Sequence, residues 1–285
     1  MPNTHPKVAV ITGGGSGIGR RTLERAVEQG WRVVLADIRD APSQAVAARL
    51  GDAVRFVHCD VTVEADIAAA IELAVATWGR LDLMFNNAGA GGDPSPVESM
   101  TVEGWDFTMN LLLRSVMLGI KHATPVMKRQ GGGSIVSTAS VAGLVPGSTG
   151  TAYGVAKSAV VFLTKAAALE LAADRIRVNC ICPGLIATPI FTRAMDLPTQ
   201  MLDSVVAQVA PVLDEAQPLP RGGRPDDIAE AVLWLADDRA GFVTGVALPV
   251  DGGFAAGLHP NHRTQVWTPV RAAVAAAAEQ QAGSA

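Results

Sequence analysis

The chain has 285 residues, 49% of them apolar and 18% charged, with a net charge of −4 and a pI near 5.7. That is enough apolar chain to bury a sizeable core, and too much for a disordered segment. No Lys/Arg-rich run interleaves with aromatics, no apolar run reaches membrane-spanning length, and "MPNTHPKVAVITGGG" lacks a signal peptide's basic and apolar regions, so neither a nucleic-acid partner nor a membrane is expected.

Taken in order, "VAVIT" (8–12) predicts a strand, followed by a helix over about 17–30. A second strand, "RVVLAD" (32–37), precedes a helix at 42–50, and a third, "VRFVHCD" (54–60), precedes one at 63–78. "LDLMFNNAG" (81–89) leads into a long helix over 101–130, and "GSIVSTAS" (133–140) into one over 150–173. "IRVNCICPG" (176–184), a helix at 226–237 and "VALPVDGG" (246–253) complete the series. Most strand candidates are apolar at successive positions, as expected of strands covered on both faces. Strand–helix alternation then predicts an α/β fold: one doubly wound, Rossmann-like domain with a seven-stranded parallel sheet and helices on both faces. Gly30 and Gly79 stand where helix ends need a positive φ.

Residues 1–254 read as one domain. Within it, 187–224 forms a long insertion containing Pro189, Pro198, Pro211, Pro218 and Pro220, with apolar residues such as Ile190, Phe191 and Met195. A connection this long in a compact domain is usually functional, often a lid. Residues 255–285 form an Ala-rich tail. Cys59, Cys180 and Cys182 make an odd number of thiols, which predicts a reduced state and a cytoplasmic location. Cys180 and Cys182 lack further metal-ligand partners and read as packing, and His259 and His262 lack a third ligand, so no metal is expected.

The first strand runs into "TGGGSGIGR" (12–20). Glycines at such a junction let the backbone approach a pyrophosphate, and the helix start offers free N–H groups. The frame is T-G-x-x-x-G-x-G, with Gly13, Gly17 and Gly19. Asp37, ending the second strand, can accept hydrogen bonds from an adenosine ribose and would repel a 2′-phosphate, which favours NAD over NADP. Arg39 is the one nearby residue that dissents. Asp60, ending the third strand, either meets an adenine amino group or caps the next helix. "NNAGAGG" (86–92) lets the chain pass close to a flat ligand.

The single tyrosine of the chain, Tyr153, stands four residues before Lys157 on a predicted helix, so the two share a face. An ammonium beside a phenol favours phenolate, as would an oxidised nicotinamide, and the phenol becomes able to exchange a proton with an alcohol or ketone oxygen. Ser140, ending the fifth strand, can hold the same oxygen.

"TGGGSGIG", "NNAG", "STASVAG", "YGVAK" and "PGLIAT", in this order and spacing, resemble the short-chain dehydrogenase/reductase family from Val8 to about Gly253. The resemblance implies Tyr153 as acid–base catalyst, Ser140 orienting the substrate and Lys157 holding the nicotinamide ribose. It implies that Asn110, on the long helix, binds a water that links Lys157 to solvent. The dinucleotide would lie along Gly13, Gly15, Ser16, Gly17, Ile18 and Gly19, with Asp37 and Ile38 at its ribose and Asp60 and Val61 at its adenine. Asn87, Ala88 and Gly89 would border it, with Pro183, Gly184, Ile186 and Thr188 at the nicotinamide. "LLLRSVMLG" after Asn110 is bulkier than the family's usual residues, and the tail is extra, yet no catalytic position is missing on this reading. Relatives pair the two long helices between subunits, which predicts a homotetramer.

The insertion and Leu144–Val145 should wall an apolar pocket. The expected function is NAD-linked interconversion of a lipophilic secondary alcohol and its ketone, resembling relatives that act on cyclic or terpenoid-like substrates. Two alternatives stay open: an NADPH-dependent carbonyl or 3-oxoacyl reductase, and a non-catalytic dinucleotide-binding scaffold or redox sensor.

Overall fold

A computed structural model describes residues 5–190 and 210–257, with positions 206 and 268. Seven parallel strands form one sheet in the order β3-β2-β1-β4-β5-β6-β7. They are β1 Val8–Thr12, β2 Arg32–Asp37, β3 Val54–His58, β4 Leu83–Asn86, β5 Gly133–Thr138, β6 Ile176–Pro183 and β7 Ala247–Val250. The chain winds outward from β1 to β3, then crosses back to lay β4 on the other side of β1. Ligands of open α/β sheets bind at such a reversal, beyond the carboxyl ends of the strands.

Alternate strand residues build two cores. Val10, Val34, Met84, Ile135 and Val178 face α3 (Glu64–Trp78), α5 (Ser115–Gln130) and α6 (Thr151–Leu171). Ile11, Leu35, Phe85, Val136 and Ile181 face α1 (Gly17–Glu28), α2 (Asp40–Leu50) and a helix at Pro225–Ala236, here α7. Every residue of β1 is buried, which explains the absence of polar alternation in its sequence. Gly30 (φ +82°) and Gly79 (φ +77°) adopt the left-handed conformation that ends their helices.

Two expectations are corrected. Several strands stop two or three residues early: β3 at His58, β4 at Asn86, β5 at Thr138. The residues beyond them leave the ladder and become the rim of the cleft. The expected single helix over 101–130 is two helices, α4 (Val102–Met109) and α5, joined by one π-helical turn at Asn110–Arg114.

Most of the 187–224 insertion and of the 255–285 tail, including His259 and His262, lies outside the described residues. The insertion's two ends are described, and they are tied together. Ala187 N–H donates to Gly223 O (2.9 Å), and Gly223 N–H to Leu185 O (3.1 Å). Among the described residues no helix is long and apolar enough to cross a membrane, and no group of three or more His, Cys, Asp or Glu could hold a metal ion.

Candidate active site

A single cleft at the carboxyl edge brings together Gly13, Ser16, Gly17, Ile18, Asp37, Ile38, Asp60, Val61, Asn87, Ala88, Gly89, Tyr153, Lys157 and Thr188. The glycine turn is shaped for close approach. Gly13 (φ +66°) and Gly17 (φ +51°) are left-handed, and a Cβ on Gly13 would stand 2.9 Å from Ala88 Cα. A Cβ on Gly19 would overlap Gly13 O. Ser16 makes no side-chain cap on α1, so the helix start presents backbone N–H groups toward the cleft. This cradle fits a pyrophosphate.

Gly15, Gly19, Pro183, Gly184 and Ile186 stand behind the cleft surface. Gly15 N–H donates to Asp37 Oδ2 (2.9 Å), so the turn also fixes the carboxylate. Pro183 is buried opposite Val250, Gly184 packs on Asp251 and Gln217, and Ile186 bridges to Gly223.

Asp37 is 4% exposed, and its Oδ1 accepts the Arg39 N–H at 2.9 Å. The Arg39 guanidinium lies beside it, with Nε 3.5 Å from Oδ1. Arg39 Nε and Nη2 are buried with no hydrogen-bond partner. Asp60 does not cap α3, whose N-cap is Val63. Its Oδ1 instead accepts from Thr62 N–H (2.9 Å) and Thr62 Oγ1 (2.7 Å), which turns the chain at the end of β3. Thr12 Oγ1 accepts the N–H groups of Asn87 and Ala88, pinning "NNAG" to β1.

At the other end of the cleft, the Ser140 hydroxyl stands near enough to the Tyr153 phenol to favour its phenolate. Ser140 is buried at the end of the loop after β5, and its Oγ accepts Ala142 N–H at 3.2 Å. The Lys157 ammonium lies 5.6 Å from the Tyr153 ring centroid and donates to Thr138 O at 2.7 Å. Burial pulls Lys157 down to about 8. Burial also pushes the Tyr153 phenol above its usual 10, partly countered by Ser140. This corrects the sequence argument, which weighed the neighbouring ammonium and left out the cost of burying a phenolate.

Asn110 is not brought to this site. Its side-chain oxygen accepts from Arg114 Nη1 (3.1 Å) on the exposed side of the π turn. The turn contributes Leu111 and Leu112 to the cleft instead. Thr138, Cys59 and Ala90 also line it and were not singled out, while Pro189 and Ile190 line it as the start of the insertion expected to wall a pocket. Thr138 acts through a backbone carbonyl, which residue type does not reveal, although it lies within the quoted "STAS". All three cysteines are buried and free. Burial and nearby carboxylates push Cys59 up to about 12, and interaction with the Cys180 thiol, then burial, pushes the Cys182 thiol up as well, so neither is a thiolate at neutral pH.

Residues 13–255 match the family described as enoyl-(acyl carrier protein) reductase. Momilactone A synthase of Oryza sativa subsp. japonica is 45% identical over 87% of this chain and 90% of its own. (+)-Borneol dehydrogenase 2 of Salvia officinalis is 37% identical over 92% of this chain and 93% of its own. Among solved structures, 3-ketoacyl-(acyl-carrier-protein) reductase from Brucella melitensis complexed with NADH superimposes with a TM-score of 0.78 at 34% identity, covering 89% of this chain and 100% of that one. The seven-stranded parallel fold agrees with these likenesses, and the chain belongs to the short-chain dehydrogenase/reductase family as an oxidoreductase.

Proposed function

We propose that this protein interconverts a lipophilic secondary alcohol and its ketone with NAD(H). The observation that carries the reading is one cleft that holds Tyr153 with the Lys157 ammonium 5.6 Å from its ring and, at its far end, Asp37. A bound nicotinamide would supply the hydride acceptor or donor. Gly13, Ser16, Gly17, Asp37 and Asn87 would hold the dinucleotide, with Lys157 at its ribose. Ser140 orients the reacting oxygen, and Tyr153 takes the alcohol proton during oxidation and returns it during reduction. Leu111, Leu112 and Ile190 give the cleft apolar lining, and one of the relatives is named a (+)-borneol dehydrogenase. Three buried free thiols fit a reducing, cytoplasmic setting. The test is NADH formation across a panel of secondary alcohols. Absence of turnover throughout, with dinucleotide binding intact, would leave the scaffold reading.

One observation favours a second reading. The unpartnered Nε and Nη2 of Arg39 could meet a 2′-phosphate, as an NADPH-dependent reductase requires. The buried Asp37 carboxylate opposes it. Asp37→Ser removes that opposition and releases Arg39, and its ratio of NADPH to NADH affinity should rise by about 100-fold, measured by calorimetric titration. Tighter NADPH than NADH binding by the unaltered protein would reverse the assignment.

We also propose a homotetramer. Phe107 on α4, Met117 on α5, and Val155, Phe162 and Leu169 on α6 are exposed large apolar residues on the long helices, with Phe162 74% and Leu169 83% exposed. Light scattering should give four times the 29.5 kDa chain mass, and Phe162→Glu should shift it toward smaller species.

A further inference from the structure

The π turn sets Asn110 and Leu112 on opposite sides of the helix. Successive helical residues advance by about 100°, so positions two apart point roughly away from each other. The structure uses both sides. On the outer side, Arg114 Nη1 donates to Asn110 Oδ1 (3.1 Å) and Arg114 Nη2 to Thr62 O (2.9 Å). Thr62 adjoins Asp60 and Val61, so this bracket joins the turn to the loop that forms the adenine end of the cleft. On the inner side, Leu112 is 1% exposed and lines the cleft with Lys157, Thr138 and Gly89, and a Cβ on Gly89 would stand 3.0 Å from Leu112 Cδ2.

We infer that Leu112, not Asn110, is the residue this turn presents to the catalytic lysine, that no side-chain amide relays protons there, and that Asn110 and Arg114 are positioning residues for the adenine loop. The inference rests on the proposed oxidoreductase reading, in which Tyr153 takes the alcohol proton beside Lys157. During oxidation the substrate C–H bond gives its hydride to the nicotinamide, and the O–H proton passes to the Tyr153 oxygen. That proton must reach water before the next turnover. With a leucine on the inner wall, it leaves to water at the open side of the cleft.

The test is exchange of the Lys157 ammonium protons with water, followed by NMR on protein carrying 15Nζ-lysine and assigned with Lys157→Arg. It needs no substrate, so a failure to find an alcohol that turns over would sink the proposed function and leave this measurement standing. Asn110→Ala should leave the exchange rate within about twofold and weaken NADH binding, as Arg114→Ala should, because both break the bracket. Leu112→Asn should speed exchange by about tenfold or more, by placing a polar group and its water beside the ammonium. Slower exchange in Asn110→Ala by about tenfold would restore the relay and overturn the inference, as would a folded Leu112→Asn with unchanged exchange. If Leu112→Asn does not fold, Asn110→Ala decides alone.

Discussion

Tyr153→Phe is expected to lower turnover by about 100- to 10,000-fold while NADH binding stays nearly the same. The ring is kept and only the hydroxyl is lost. Because Tyr153 is the only tyrosine in the chain, the difference in tyrosinate absorbance between the unaltered protein and Tyr153→Phe titrates this one group. In the free protein its midpoint should lie above that of an ordinary phenol, since burial penalises the phenolate more than Ser140 relieves it. Adding NAD should pull the midpoint down, through the positive charge of the oxidised ring. A free-protein midpoint below the ordinary phenol value would mean that the Lys157 ammonium outweighs burial. Turnover that persists in Tyr153→Phe would remove the phenol from the chemistry.

Lys157→Met should abolish turnover and raise stability at neutral pH. The lysine is 4% exposed and its pKa falls from 10.5 to about 8, with burial the largest cause. Its folded pKa is depressed, so the charged form is the penalised one. Below pH 8 the penalty is present in full, on the order of 3 kcal/mol from a shift of this size. Between about 8 and 10.5 the unfolded chain keeps a proton that the folded one has lost, and stability rises with pH until the penalty is gone. Methionine removes the charge but also leaves Thr138 O without its donor, which costs about 1–2 kcal/mol. The net gain at pH 7 should therefore be about 1–2 kcal/mol, or several degrees in Tm, shrinking as pH rises toward 10.5. Calorimetry across this range checks it. A variant less stable than the parent at every pH would show that the ammonium is better solvated in its site than its burial implies.

The sheet was legible because its strands are buried on both faces. "VAVIT" and "RVVLAD" have no polar alternation to confuse with another architecture. Gly13, Gly17, Asp37 and Tyr153 were legible as lining of one cleft because glycine suits a left-handed turn and strand ends face the carboxyl edge of the sheet. Asn110 misled for a physical reason. Met109, Leu111, Leu112 and Leu113 surround it, so the stretch carries no polar stripe from which to read the facing of the helix. A π turn then resets the phase by an amount no pattern of apolar residues records. The environment of Tyr153 was hidden for another reason: a neighbour's charge is visible in a sequence, whereas desolvation belongs to the folded cleft.

The paired bonds that join Leu185 and Ala187 to Gly223 bear on how such an enzyme changes its diet over evolutionary time. The described ends of the segment meet at this neck, and Gln217 and Leu219 add bonds to Leu185 and Gly252. The entropy of closing a loop grows only with the logarithm of its length, so doubling the segment costs about 0.6 kcal/mol. A change of length between Ile190 and Ala210 leaves the neck, the seven strands and the bonds of Gln217 and Leu219 in place. The neck makes the segment an interchangeable cartridge, and a new substrate range is reachable without retuning the catalyst.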